Sequence, residues 1–122
     1  MNDLDFIESF LAGELRNAEI KHFNAQGTWS SFQRAYLAAL ILWNFSQAHL
    51  IDDTAFCIKV VTRKYNPGWV VITMNNNDLF KVWFVAEGLL LETKDDVYIT
   101  DLAREIDTEI SPPEEDSRFV EN

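Results

Sequence analysis

Apolar and polar positions change period once along this chain, near Asp52-Asp53. Before that point the spacing is helical. Leu4, Ile7, Leu11 and Leu15, with Phe10 beside them, recur on one face of a helix. Asn2 or Asp3 is placed to cap it, and Asp5 and Glu8 suit the positive end of its dipole. The pattern predicts this helix to about residue 23, although Ile20 to Phe23 reads equally well as an extended piece. Gln26-Gly27-Thr28 is expected to break the chain. A second helix is predicted within Phe32 to Ile51, capped by Ser30 or Ser31. From Ala35 to Trp43 it has no polar group except the Tyr36 hydroxyl, so it is expected to be the buried centre of the fold. The apolar run falls short of the roughly 20 residues that a membrane span needs.

Beyond Asp53 the residues alternate and β-branched side chains become common. Strands are predicted over Ala55–Lys64, Trp69–Met74 and Leu79–Ala86, the last continuing through a bulge or bend at Gly88 to Glu92. A fourth is expected over Val97–Thr100, after a turn at Thr93–Asp96. Asn66-Pro67-Gly68 has the signature of a type II turn, and Asn75–Asp78 is made of residues that tolerate left-handed geometry. Thr100 or Asp101 should cap a short helix to about Ile106. Helices segregated from an antiparallel meander define an α+β fold, here two N-terminal helices packed on roughly four strands. The expected organisation is a single domain over 1–110 followed by a flexible acidic tail over 111–122, where Ser111-Pro112-Pro113-Glu114-Glu115-Asp116 carries no apolar periodicity.

With 122 residues and 48% hydrophobic content, nine Phe among them, one core is feasible without disulfides or metal. The net charge is −10, and eight acidic against two basic side chains fall between Asp101 and Asn122. That balance opposes binding to nucleic acid and to anionic membranes, and suits solubility or a basic protein partner. The acidic start, Met1-Asn2-Asp3-Leu4-Asp5, does not read as a signal peptide, so a cytoplasmic location is expected.

Candidate chemistry is sparse. Cys57 lies in an apolar strand, which suits a small buried hydrophobe better than a reactive thiolate. His22 and His49 sit near predicted helix ends, away from any recognisable nucleophile. Asp52-Asp53 and Asp95-Asp96 occupy ordinary places for Asp, and the run Asn75–Asp78 lacks the ligand pattern of a calcium loop. No glycine pattern suits a phosphate. No cofactor, no metal and no catalytic residue are expected.

The sheet suggests a binding surface instead. If both connecting loops hold an even number of residues, one face carries Phe56, Ile58, Val60, Thr62, Trp69, Val71, Thr73, Phe80, Val82 and Phe84. The other carries Cys57, Lys59, Val61, Arg63, Val70, Ile72, Met74, Lys81, Trp83 and Val85. An outer face should be polar, and this one is apolar with three cations. It is either covered by a helix or is an interface around Trp83, with Lys59, Val61, Arg63, Ile72 and Lys81. Such a face could also pair with a copy of itself in a homodimer.

The function expected on these grounds is a non-catalytic protein-binding module, of assembly-factor or chaperone type, using that face or an exposed strand edge. The alternative is an acidic inhibitor or immunity protein that occludes a basic site on a toxin or nuclease. A third is a small enzyme or ligand binder with an apolar pocket between helices and sheet, into which Asp53, His49 or Tyr98 would have to point.

Overall fold

The computed structural model describes residues 2–111 and has an α+β fold, with helices, then a five-stranded antiparallel sheet, then a short C-terminal helix. The expected tail lies outside the described residues except for Ser111.

Helix α1 is Asp3–Arg16, and its Asn2 cap accepts the Asp5 N–H at 2.8 Å, as its sequence predicts. It ends before residue 23: Ala18 adopts a left-handed φ of 59°. The chain then runs extended across one end of the sheet, where Lys21 N–H donates to Met74 O and Phe23 N–H to Asp53 O. Backbone pairing with the sheet thus decides the ambiguous Ile20–Phe23 stretch in favour of extended structure.

The predicted central helix is three elements. Helix α2, Ala25–Ala35, is capped by Asn24, which accepts from Gly27 N–H at 3.0 Å, rather than by Ser30 or Ser31. Gly27 therefore lies inside a helix rather than breaking one. Tyr36, at φ −126°, separates α2 from the six-residue α3, Leu37–Leu42. Asn44 then takes a left-handed φ of 53° and donates to Val61 O, which stops the helix and turns the chain back. Gln47–Ile51 leaves as strand β1. The high helix propensity of Ala and Leu conceals these breaks, because tertiary pairing overrides a weak local preference.

The sheet is a meander in the order β1, β2 (Ala55–Val60), β3 (Gly68–Met74), β4 (Phe80–Ala86), β5 (Leu89–Val97). Glu87 and Gly88, both at positive φ, form a two-residue hairpin turn, where a bulge or bend within one continuing strand was expected. The predicted turn at Thr93–Asp96 and strand at Val97–Thr100 are not separate elements. Thr93–Val97 belongs to β5, Asp96 takes a left-handed φ of 53°, and Ile99–Asp101 is a 3₁₀ turn into α4, Leu102–Ile110. Gly68 opens β3 without a positive φ, so Asn66-Pro67-Gly68 is not a type II turn.

The register corrects the assignment of the two faces. Val60 pairs with Gly68 and Met74 with Phe80, so both connections hold an odd number of residues. Facing residues consequently share parity, and β3 turns over relative to the expectation. Phe56, Ile58, Val60, Val70, Ile72, Val82 and Phe84 form one face, covered by Phe32, Leu40, Trp43 and the α4 residues Leu102, Ile106 and Ile110. Cys57, Trp69, Val71, Trp83 and Val85 form the other, covered by Ile7 and Leu11 of α1 and by Ile20. The sheet is buried on both sides, which is why β2 to β4 carry nearly unbroken apolar runs.

Helix α4 is tied down by its acidic residues. Trp43 Nε1–H donates to Asp107 at 2.9 Å, Lys94 Nζ pairs with Glu105 at 3.1 Å, and Lys64 Nζ pairs with Glu109 at 2.8 Å. The buried Tyr65 hydroxyl donates to the same Glu109 oxygen at 2.7 Å. Burial, then the Glu109 carboxylate, raise the Tyr65 hydroxyl far above its ordinary value of 10.0. The fold therefore holds that proton more tightly than the unfolded chain, so its contribution to stability is complete below pH ~10 and declines above it. Denaturation midpoints should fall as pH rises beyond ~10, and Tyr65→Phe should remove up to ~1.4 kcal/mol of that loss per pH unit. An unchanged alkaline slope in Tyr65→Phe would count against the buried pair.

Candidate functional site

The six residues expected to form one binding patch do not share an open face. Trp83 is 4% exposed beneath α1, with its ring 5.1 Å from that of Phe10. Its indole N–H donates to Thr73 Oγ1 at 2.9 Å. Ile72 is fully buried on the opposite face, under the other helices. Lys81 folds its ammonium over the Trp83 ring at 4.6 Å, a cation–π contact within the protein itself. Lys59, Val61 and Arg63 retain accessible surface, but Val61 N–H is tied to Trp43 O beside α3. The physical reason is α1, whose apolar stripe needs a surface to cover and takes the one around Trp83.

Strand pairing does bring one chemically suggestive set together. His49 is the cross-strand partner of Cys57, and His49 Nε2 lies 3.4 Å from Glu8 Oε2 on α1. A carboxylate, an imidazole and a thiol in sequence resemble a nucleophile with its base and orienting acid. The thiol rules that chemistry out. Cys57 has no exposed surface, and burial with the nearby Glu8 charge pushes its pKa well above the ordinary 9.0. A thiol held protonated and out of reach is a core residue. Among the described residues no group of three or more His, Cys, Asp or Glu is arranged to hold a metal ion.

The residues that could have marked a pocket between helices and sheet point elsewhere. Asp53 lines a surface hollow with His22, Phe23 and Asn24, His49 faces Glu8, and Tyr98 is largely exposed. The space between the layers is filled by Phe32, Leu40, Trp43 and Tyr65, all essentially inaccessible.

The most distinctive open surface follows the end of β5. Asp95, Asp96, Asp101 and Glu105 surround a hollow of about 380 Å³ with Lys94, Val97 and Tyr98. Tyr98 is 59% exposed and Ile99 49%. Ile99 lines a separate, uncharged hollow of about 500 Å³ with Asn24, Gly27, Thr28, Ser31 and Phe80. Comparison with known proteins does not name this surface. No family model, no curated protein and no solved structure matches the chain. Its chemistry must be read from its own residues.

Two cations partly neutralise the acidic hollow: Lys94 pairs with Glu105, and Arg104 with Asp101 and Glu105. Asp95 and Asp96 make no ion pair among the described residues. They accept hydrogen bonds from the Asn75 side-chain amide at 2.8 Å, which aims them without cancelling their charge. The sequence reading missed this site because Asp95-Asp96 looks like an ordinary hairpin turn. The signal that could have found it is Tyr98-Ile99, two bulky apolar residues set between acidic ones on a short connection.

Proposed function

We propose that the chain is a non-catalytic protein-binding module, of the assembly-factor or chaperone kind, and that it binds through the β5 edge and the adjoining acidic hollow. One observation carries this reading: an exposed aromatic, Tyr98, that lines one hollow with Asp95, Asp96, Asp101 and Glu105, with the exposed Ile99 next to it in the chain. An accessible aromatic anchor inside a polar rim is the usual anatomy of a protein interface. The single sign of the unpaired rim charges favours a partner that offers Lys or Arg next to an apolar side chain.

The same carboxylates support a second reading, an acidic inhibitor or immunity protein that covers a basic site. The two readings differ in where the binding energy lies. For the module, Tyr98→Ala weakens partner capture by ~2 kcal/mol or more, the scale of a hot-spot aromatic. For the inhibitor, Asp95→Asn with Asp96→Asn does the greater damage, and association slows steeply with salt. Capture of interacting proteins by the full chain, repeated with these variants and at low and high salt, tests both. A bound protein retained equally by all variants would place the interface elsewhere on the molecule.

No helix among the described residues is long and apolar enough to cross a membrane.

A further inference from the structure

The two edges of the sheet are unlike. Strand β5 is interrupted by register shifts opposite Phe80/Val82 and Phe84/Val85, and it carries Glu92, Lys94, Asp95 and Asp96. Bulges and charges of this kind prevent a further strand from docking in regular register. Strand β1 has neither protection. Its five residues, Gln47-Ala48-His49-Leu50-Ile51, pair with β2 without a shift and contain no Asp, Glu, Lys, Arg or Pro. Among the described residues no other strand pairs with its outer edge. Its backbone N–H and C=O groups on that side are a template for another extended chain.

From the geometry and the charge distribution together, we infer that β1 pairs antiparallel with β1 of a second copy of this chain, about a two-fold axis through His49. Each copy carries a formal charge of −10, which opposes self-association over most of the surface. From Ala35 to Ile51 there is no acidic or basic residue other than His49. The charges that reach this edge from neighbouring elements, Glu8 at 3.4 Å from His49 Nε2 and Lys59 across from Gln47, are of opposite sign. Two copies therefore approach there with less repulsion than over the acidic surface. The same margin exposes Leu37, Ile41 and Leu42 of α3. Helix α3 ends against this edge of the sheet, because Val61 N–H donates to Trp43 O and Ser46 N–H to Lys59 O.

The strand is also self-complementary in phase. Antiparallel pairing centred on His49 sets Ala48 of one copy opposite Leu50 of the other, twice, on the face that carries α2, α3 and α4. Rotation about an axis normal to the sheet keeps that face on the same side in both copies. The result is a continuous ten-stranded sheet with the uncharged α3 surfaces flanking the seam. The strand itself offers a charged foreign partner no Asp, Glu, Lys or Arg, whereas a second copy brings the same uncharged strand to the seam. This interface goes beyond the proposed function, which uses the opposite edge, so either can fail without the other.

Sedimentation velocity on the full chain from ~1 to ~200 µM is the test, a range that reaches association as weak as a dissociation constant of ~200 µM. The expected result is a species of twice the 14.1 kDa monomer mass at the upper concentrations. Ala48→Lys, which sets two like charges beside the seam, should leave only monomer, and Leu90→Lys on the β5 edge should leave the dimer intact. A wild-type monomer at every concentration overturns the inference, as does a dimer that survives Ala48→Lys. If Ala48→Lys does not fold, hydrogen exchange of the wild type decides. Alternate amides of β1 must gain about tenfold protection as concentration rises. Protection independent of concentration refutes the pairing.

Discussion

Trp83→Ala should destabilise the protein by ~3–5 kcal/mol, the range for removing a buried tryptophan from a packed core. The indole is 4% exposed and lies between β4 and Phe10 of α1. Its loss would leave a cavity under that helix and strip the Thr73 hydroxyl of its donor. The Lys81 ammonium would also lose the ring it covers. Since α1 meets this face of the sheet through Ile7, Leu11 and the aromatic contact, the variant should loosen α1 more than α4. Urea denaturation followed by far-ultraviolet dichroism measures the loss. A midpoint within experimental error of the wild type would mean that α1 does not cover this face, and would restore Trp83 as an interface residue.

The alternation of apolar positions made most of the architecture legible, and its failures have specific causes. The α+β order, the cap at Asn2 and the turn at Asn75–Asp78 were readable because each rests on local chemistry that nothing overrides. Strand β1 was hidden because Ala48, Leu50 and Ile51 continue an apolar run that began in a helix. The left-handed Asn44 was the local clue to the break. The inverted phase of β3 comes from loop length, which residue type does not encode: the β2–β3 connection holds seven residues, and an odd number reverses the phase that an even one gives. One residue of parity moves Trp69, Val71 and Thr73 to the opposite side of the sheet.

The candidate surface is less legible for a different reason. An exposed residue and a buried one of the same type read alike in a sequence, so Trp83 and Tyr98 could not be ranked by identity. Burial removes Trp83 from contention, and exposure promotes Tyr98. Some of the acidity that suggested a basic partner proves structural. Asp107 and Glu109 fasten α4 to Trp43, Lys64 and Tyr65. Asp95 and Asp96 differ from these: their hydrogen bonds come from the side-chain amides of Asn75 and Asn77 and from the Asp96 N–H, none of which cancels their charge.

Helix α3 allows the division between core and surface to be measured two residues apart. Leu40 is 2% exposed and Leu42 75%, although both belong to one uninterrupted apolar run. Leu40 packs in the cluster with Phe32, Trp43 and the sheet residues Phe56 and Ile58. Leu40→Ala should therefore cost ~2–5 kcal/mol, with the upper end reached only if the surrounding aromatic rings cannot close the space. Leu42→Ala removes the same atoms from a site already in water and should change stability by no more than ~0.5 kcal/mol. Chemical denaturation of the two variants in parallel, at a concentration low enough to keep the chain monomeric, gives the comparison. Equal losses would show that α3 is buried along its whole circumference. That outcome would return Phe32–Trp43 to the role of an enclosed core helix and remove the apolar margin next to β1.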